Sequence, residues 1–321
     1  MNSNKVCAIL VTYNRKELLI ECLNGLLKQT IPLNGIYLVD NASKDGTLEK
    51  LKENGILDTI EINTNQEYYR ELKINDIANI KFYYLRLSEN TGGAGGFYEG
   101  MKNAYSKGFD WYWLMDDDVE PLNNALETQL RYKDISQCIH PGKIYLNGDR
   151  YIWEGCLNEL DGFEYFKDDE FLKYFRTFVP VNIGNFEGML INKEIVKNIG
   201  FPKKELFMIG DDTIYGYNAS KYTLNIYIKE ICFIKKIDNR GKYTSVLKRY
   251  LTFRNKYASF SRKIARNKFY WLISFLIITV RKLGSSLIKR RNPREFYYII
   301  RGILDGLLEN YSMNIVRKLT N

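Results

Sequence analysis

The sequence predicts an α/β protein: a mostly parallel sheet with helices on both faces, followed by a basic helical C-terminal region. Three observations carry this. Through the first 120 residues, short apolar runs alternate with stretches of helical period. Polar residues gather directly after each apolar run, where open α/β sheets bind their ligands. The formal charge of +9 is also unevenly divided: residues 242–294 hold 15 Lys and Arg and no Asp or Glu, residues 295–321 hold three of each sign, and residues 1–241 sum to −6. An acidic body of residues 1–241 joined to a basic tail of residues 242–321 points to an anionic surface as the tail's partner.

Val6–Tyr13 is a β-branched apolar run of strand length. Asn14 with Glu17 three residues on opens a helix whose Leu18, Leu19, Cys22, Leu23, Leu26 and Leu27 share one face. Ile36–Val39 is a second strand ending in Asp40-Asn41, and Thr47–Asn54 a short helix. Residues 56–79 are polar and read as an excursion from the sheet. Ile80–Leu87 is a third strand, Asn90–Gly96 a glycine loop, Phe97–Lys107 a helix, and Asp110–Met115 a fourth strand running into three aspartates. From Tyr250 the pattern is helical throughout.

Five cysteines, an odd number and widely spaced, with a single histidine, exclude a disulfide framework, a structural zinc site and a Ser-His-Asp triad. They read as reduced thiols of a cytosolic protein. His140, beside Pro141, reads as a loop histidine. The N-terminal MNSNKVCAILVTYNR reads as a first strand and not as a secretory signal.

Four features carry chemistry. Asp116-Asp117-Asp118 follows the strand DWYWLM; in an extended segment residues i and i+2 point the same way, so Asp116 and Asp118 can grip one cation while Asp117 faces elsewhere. Carboxylate oxygens suit Mg²⁺ or Mn²⁺. The loop Asn90-Thr91-Gly92-Gly93-Ala94-Gly95-Gly96 precedes a helix and offers close backbone approach and free N–H groups to an anion. It matches neither a Walker loop nor the dinucleotide fingerprint. Asp211-Asp212, in FMIGDDTIYGY, can supply a general base with a partner that orients it. Glu187-Gly188 stands out in the less regular middle of the chain. Trp111 and Trp113 read as strand packing; Trp153 suits packing or sugar stacking equally.

Together these residues carry a resemblance. VTYNR, VDNASKDGT, LSENTGGAGGFYEGMKNA, DWYWLMDDD with Pro121 after it, FMIGDDTIYGY, and YLTFRNK at 250–256 resemble family 2 glycosyltransferases of the GT-A (Rossmann-like) fold, in the galactofuranosyl- and rhamnosyltransferase-like branch. The likeness covers roughly residues 5–260. It implies an inverting transferase, with a catalytic domain at 1–241, that uses a nucleotide-diphosphate sugar, UDP-galactofuranose first and dTDP-rhamnose second. It implies that Thr12, Asn14, Arg15, Asp40 and Asn41 line the nucleotide pocket and that Asn90, Gly92, Gly93 and Asp117 lie near the donor. Asp116 and Asp118 match the metal positions for Mn²⁺ or Mg²⁺, Asp212 the base with Asp211 beside it, and Glu187 and Gly188 the acceptor side.

Two departures stand out. The family's Glu two residues after the base, and its Arg four residues further on, are here Ile214 and Asn218. Where a metal-binding histidine is expected, this chain has CFIKKIDN, with Lys235 in that place. A protonated lysine ligates no metal. Either two carboxylates and the diphosphate hold the ion, or Asp238 substitutes, or Lys235 neutralises the leaving diphosphate itself. The implied acceptor is a lipid-linked glycan of a bacterial surface polysaccharide, met on the cytoplasmic face of the membrane. A nucleotidyltransferase is the alternative from another class. No nucleic-acid motif is present. Phe269–Val280 is twelve uncharged residues flanked by cations, about 18 Å as a helix and too short to span a membrane, which suits a helix lying in an anionic interface.

Overall fold

The computed structural model describes residues 4–74, 78–166, 176–238, 240, 245–289 and 292–320. Strand β1 (Val6–Thr12) has every residue buried, which is why its run lacks polar alternation. It sits between β2 (Gly35–Asp40) and β5 (Trp111–Asp116), parallel to both, and β4 (Ala78–Arg86) extends the parallel set beyond β2. The register pairs Thr12 with Asp40, Asp40 with Arg86, and Val11 with Asp116, so four strand ends bring their polar residues to one edge.

Both faces are covered, as the alternation within β1 dictates. Ala8 and Leu10 pack with Leu19, Leu23 and Leu26 of α1 (Lys16–Leu27). Cys7, Ile9 and Val11 pack with Phe97, Met101 and Ala104 of α3 (Gly92–Ser106) on the other side. The short α2 (Thr47–Glu53) lies on the first of these faces. Trp111 and Trp113 are both core residues.

The excursion expected at 56–79 contains a strand. β3 (Glu67–Ile74) pairs antiparallel with β4 along its length and closes that edge. Its Glu67, Arg70, Glu71 and Lys73 hid it, because an edge strand carries the charges a central strand excludes. The expected glycine loop is also corrected: α3 begins at Gly92, so four of the glycines are helical.

The sheet's second half is mixed. β12 (Met189–Asn192) runs antiparallel between β5 and β7 (Cys138–Tyr145). β13 (Ile226–Lys235) is parallel to β7, with β11 (Phe178–Pro180) outside it. β6 (Val119–Pro121) pairs with the end of β13, and β8 (Arg150–Tyr151) with β7, giving eleven strands in one sheet among the described residues. β9 (Gly155–Leu157) and β10 (Glu164–Phe166) form a separate hairpin. Helices α4 (Ala125–Leu130), α5 (Lys193–Ile199) and α6 (Asp211–Ala219) complete this region. His140 is not on a loop: it lies within β7, fully buried against Gly184, where desolvation pulls its pKa down to about 3 and keeps it neutral.

In the tail, α7 (Val246–Leu251) continues through a π-helical stretch, Thr252–Phe260, and a last turn, Ser261–Ile264. Then come α8 (Lys268–Gly284), α9 (Pro293–Leu307) and α10 (Asn314–Thr320). The expected boundary between 241 and 242 and the cations Arg290 and Arg291 lie outside the described residues. The tail packs on the body through Arg254 and Asn255, which donate to the carbonyls of Leu206, Met208 and Ile209. Within the tail, a Cβ at Gly302 would stand 2.6 Å from the Tyr250 carbonyl oxygen, and one at Gly306 2.5 Å from that of Arg254. α8 buries Trp271, Phe275 and Thr279 and leaves Phe269, Tyr270, Leu272, Ile273, Leu276, Ile277 and Val280 exposed. Its helical run to Ile288 is 21 residues, long and apolar enough to cross a membrane, so length does not exclude spanning as the apolar run alone implied.

Candidate active site

The end of β5 sets the site. Asp116 closes the strand, and Asp117-Asp118 turn into β6. Asp117 points away from its neighbours into a bracket built by the β1–α1 loop. It accepts from Thr12 Oγ1 at 2.7 Å and from the Tyr13 N–H at 3.3 Å, and pairs with Arg15 at 3.0 Å. Arg15 also reaches Asp118, at 3.1 Å. Burial works against the guanidinium's charge, but Asp117 and Asp118 outweigh it and raise its pKa.

On the other side Asp118 Oδ1 pairs with Lys235 Nζ at 2.7 Å, and the same ammonium meets Glu187 Oε1 at 2.5 Å. The β6–β13 register, Lys235 opposite Val119, places the lysine there. Burial lowers its pKa; Glu187 and Asp118 more than reverse this, so it stays charged. Asp116, Asp118 and Glu187 can each place one oxygen within 4.8 Å of the other two. Burial, then the charge of Asp118, pushes the Asp116 carboxyl well above its usual range.

These residues fit a divalent cation. The donors are three carboxylates, the chemistry Mg²⁺ and Mn²⁺ favour, and the Asp116 carboxylate accepts no hydrogen bond from the described residues, unlike its neighbours. Asp238, the alternative third carboxylate, is instead exposed and paired with Arg240 at 2.7 Å.

The other expected nucleotide residues serve mainly to build the loops. Asn14, at φ 53°, accepts from the Lys44 N–H at its side-chain oxygen and donates its own backbone N–H to Ser43 Oγ, stapling two strand-end loops together. Asp40 is fully buried and accepts from the Ser43 N–H and the Tyr84 hydroxyl. Asn41 accepts from Thr91 and donates to the Gly92 carbonyl, at 2.8 Å. Asn90 accepts from the Gly92 N–H, and the Phe207 carbonyl takes that of Ala94. These contacts consume helix-start N–H groups that the sequence reading left free for an anion. Gly92 is obligatory: at φ 71° its Cβ would fall 2.0 Å from the Phe207 carbonyl oxygen, whereas Gly93 faces open space. Gly188 is buried at φ 93° under Phe233 and Pro141, a backbone requirement that places it behind the carboxylates.

Asp211 and Asp212 open α6, reached through Phe207, Ile209 and Gly210, all at positive φ. Asn255 donates to the carbonyls of Leu206, Met208 and Ile209, and buried Arg254 to Leu206, so the YLTFRNK segment shapes this turn. Burial and the charge of Asp212 raise Asp211 to about 8; burial raises Asp212 to about 6 against the pull of Lys256. Lys256 is itself paired with Glu164 and lies 5.7 Å from the Trp153 ring centroid.

Sequence reasoning missed the shell behind Glu187. Buried Lys143 pairs with Glu154 at 2.5 Å and donates to Asn185 at 2.9 Å, and Asn185 donates to Glu187 Oε2 at 2.8 Å. Tyr151 lies beneath both ammonium groups, 5.4 Å from Lys143 Nζ and 5.9 Å from Lys235 Nζ. A lysine inside the strand CIHPGKIY was the available signal.

A sequence model of the Glycosyl transferase family 2 matches residues 7–200. Among curated proteins the chain is 27% identical over 219 residues to the galactofuranosyltransferase GlfT1 of Mycolicibacterium smegmatis, covering 64% of this chain and 62% of the relative. It is 34% identical over 222 residues to the protein of that name from Mycobacterium tuberculosis, covering 65% and 62%. The chain thus spans about 62% of the length of these relatives. Among solved structures, TarS 1–349 of S. aureus in complex with UDP-GlcNAc aligns at TM-score 0.56 and 16% identity, over 96% of this chain and 82% of that one. The mannosyltransferase PcManGT of Pyrobaculum calidifontis, in complex with GDP-Man and Mn²⁺, aligns at 0.52 and 13%, over 95% and 88%.

Proposed function

Because the chain belongs to glycosyl transferase family 2, we propose that it moves a sugar, with inversion, from a nucleoside-diphosphate donor to a hydroxyl of a lipid-linked glycan. The observation that carries the reading is the imbalance at the sheet edge. Among the described residues, Asp117, Asp118 and Glu187 pair only with Arg15 and Lys235, and Asp116 with no cation, which suits a site that takes a divalent cation with a diphosphate.

Asp116 and Asp118, joined by Glu187, would hold Mn²⁺ or Mg²⁺. When bound, such an ion stabilises the negative charge that develops on the departing diphosphate. Thr12, Arg15 and Asp117 form the wall beside it, and Asn14, Asp40, Asn41 and Asn90 fix the loops that receive the nucleotide. Gly93, half-buried but with open space where a Cβ would stand, is where the donor approaches the backbone. Asp212 takes the acceptor hydroxyl's proton as that oxygen attacks the anomeric carbon. A pKa near 6 leaves it ionised at neutral pH yet basic enough to serve. Asp211, higher still, stays largely protonated beside it.

The mycobacterial galactofuranosyltransferase relatives support a galactofuranose donor. The reading takes UDP-galactofuranose, with dTDP-rhamnose as the alternative, and a role in building a capsule or O-antigen on the cytoplasmic face of the membrane. The exposed apolar side of α8, between Lys268 at one end and Arg281 and Lys282 at the other, supports an anionic membrane surface as the tail's partner, and not nucleic acid. The test is a panel of nucleotide sugars offered with a polyprenyl-linked acceptor. Release of a nucleoside diphosphate with a glycosylated product is expected; release of pyrophosphate from a nucleoside triphosphate would establish a nucleotidyltransferase instead.

A further inference from the structure

Lys235 is only 7% exposed, yet its ammonium meets two carboxylates of the site. Its ammonium lies between Asp118 and Glu187, two of the three carboxylates able to share a metal. The remaining oxygens are committed as well. Asp118 Oδ2 faces Arg15 at 3.1 Å. Glu187 Oε2 is held by Asn185, which Lys143 holds in turn. Asp117 is spent on Thr12, Tyr13 and Arg15. This leaves the Asp116 carboxylate alone without a partner among the described residues.

We propose that Lys235 is a resident cation of the metal site, so that the free protein binds a divalent ion poorly and takes it up together with the donor's diphosphate. The proposal rests on the reading that this pocket receives a nucleoside diphosphate. A divalent ion such as Mn²⁺ or Mg²⁺ needs several hard oxygen ligands and keeps waters otherwise. In the nucleotide-free protein it meets one open carboxylate and the repulsion of a fixed ammonium at hydrogen-bond distance from the other two. A diphosphate changes both conditions. Its oxygens complete the ion's ligand set, and its charge gives Lys235 another anionic partner, freeing Asp118 and Glu187 to turn toward the ion. Ion and nucleotide therefore bind with positive coupling, and linkage makes the coupling reciprocal.

The test is Mn²⁺ titration of the full chain followed by electron paramagnetic resonance, with and without UDP. Wild-type protein should bind Mn²⁺ about tenfold or more tightly with UDP than without, and UDP should bind more tightly with Mn²⁺ by the same factor. Lys235→Met should raise the nucleotide-free Mn²⁺ affinity about tenfold and shrink the coupling, while Lys235→Arg, which keeps a cation, should retain the wild-type pattern. Equal Mn²⁺ affinity with and without UDP in the wild type overturns the proposal; so does an unchanged nucleotide-free affinity in Lys235→Met. If Lys235→Met fails to fold, the wild-type and Lys235→Arg titrations decide. A chain that shows this coupling but transfers no sugar would refute the transferase reading and leave the assignment of Lys235 intact.

Discussion

The side-chain amide of Asn255 donates to the carbonyl of Ile209 at 2.8 Å, two residues before Asp211, and shares its hydrogens with the carbonyls of Leu206 and Met208. The turn it clamps holds Phe207 at φ 68° and Ile209 at φ 65°, a region that side chains other than glycine rarely occupy. Asn255→Ala should release the turn and shift Asp212. Transfer should fall about a hundredfold, the scale of an ångström-level misplacement, with a loss of stability of about 1–3 kcal/mol from the unpaired carbonyls. Steady-state kinetics and thermal unfolding of the same preparation measure both. Wild-type turnover in a destabilised variant would separate the clamp from catalysis.

Asp116→Ala and Asp118→Ala should each abolish transfer, as should excess EDTA, with activity restored by added Mn²⁺. Asp117→Ala should behave differently. It leaves the three clustered carboxylates in place but frees Thr12 and removes one of the two carboxylates that hold Arg15, so a rise in KM for the donor should exceed the fall in kcat. Full activity in EDTA would rule the metal out.

Asp212→Asn keeps shape and removes proton-accepting capacity, so transfer should drop about 10²–10⁴-fold while UDP affinity is unchanged. The pH profile supplies the sign. Burial raises the Asp212 carboxyl to about 6, and only the ionised form accepts a proton. The rate should therefore be full above that value and fall tenfold per pH unit below it. The Asn variant should lack this acid limb; an unchanged limb would assign the base elsewhere.

Full-length protein should co-sediment with vesicles containing phosphatidylglycerol, more weakly at high salt, and less with neutral vesicles. Ile277 and Val280 are 62% and 68% exposed, so Ile277→Ser with Val280→Ser should weaken vesicle binding while leaving thermal stability within about 0.5 kcal/mol of wild type, as surface changes usually do. Trp271→Ala, which loses a stacked contact with Phe275 and a bond to Ser261, should instead destabilise the fold. Equal vesicle binding by wild type and the double serine variant would remove α8 from the interface.

The central strands were readable because burial on both faces leaves an unbroken apolar run: β1, β2, β4 and β5 lie within a residue or two of their expected places. β3 was not, because its charges belong to an edge. Asp116 and Asp118 were visible as neighbours along one strand. Their joining to Glu187 and Lys235 was not, since it depends on β12 entering the sheet antiparallel and on β6 pairing with β13. A search near Lys235 in sequence finds Asp238, which the fold turns outward to Arg240. The role of Asn255 was equally hidden, because a side chain that binds main-chain carbonyls leaves no pattern at the residues it holds.

Gly302 and Gly306 bring α9 against the backbone of Tyr250 and Arg254, and Arg254 and Asn255 reach from there to the turn before Asp211. The tail is therefore not a detachable accessory. A chimaera that exchanged it for a relative's tail would have to match the hydrogen bonds of Arg254 and Asn255 to the carbonyls of Leu206, Met208 and Ile209, and a mismatch there would surface as slow turnover. Selection on how the tail packs and selection on how fast the protein works act here on the same few residues.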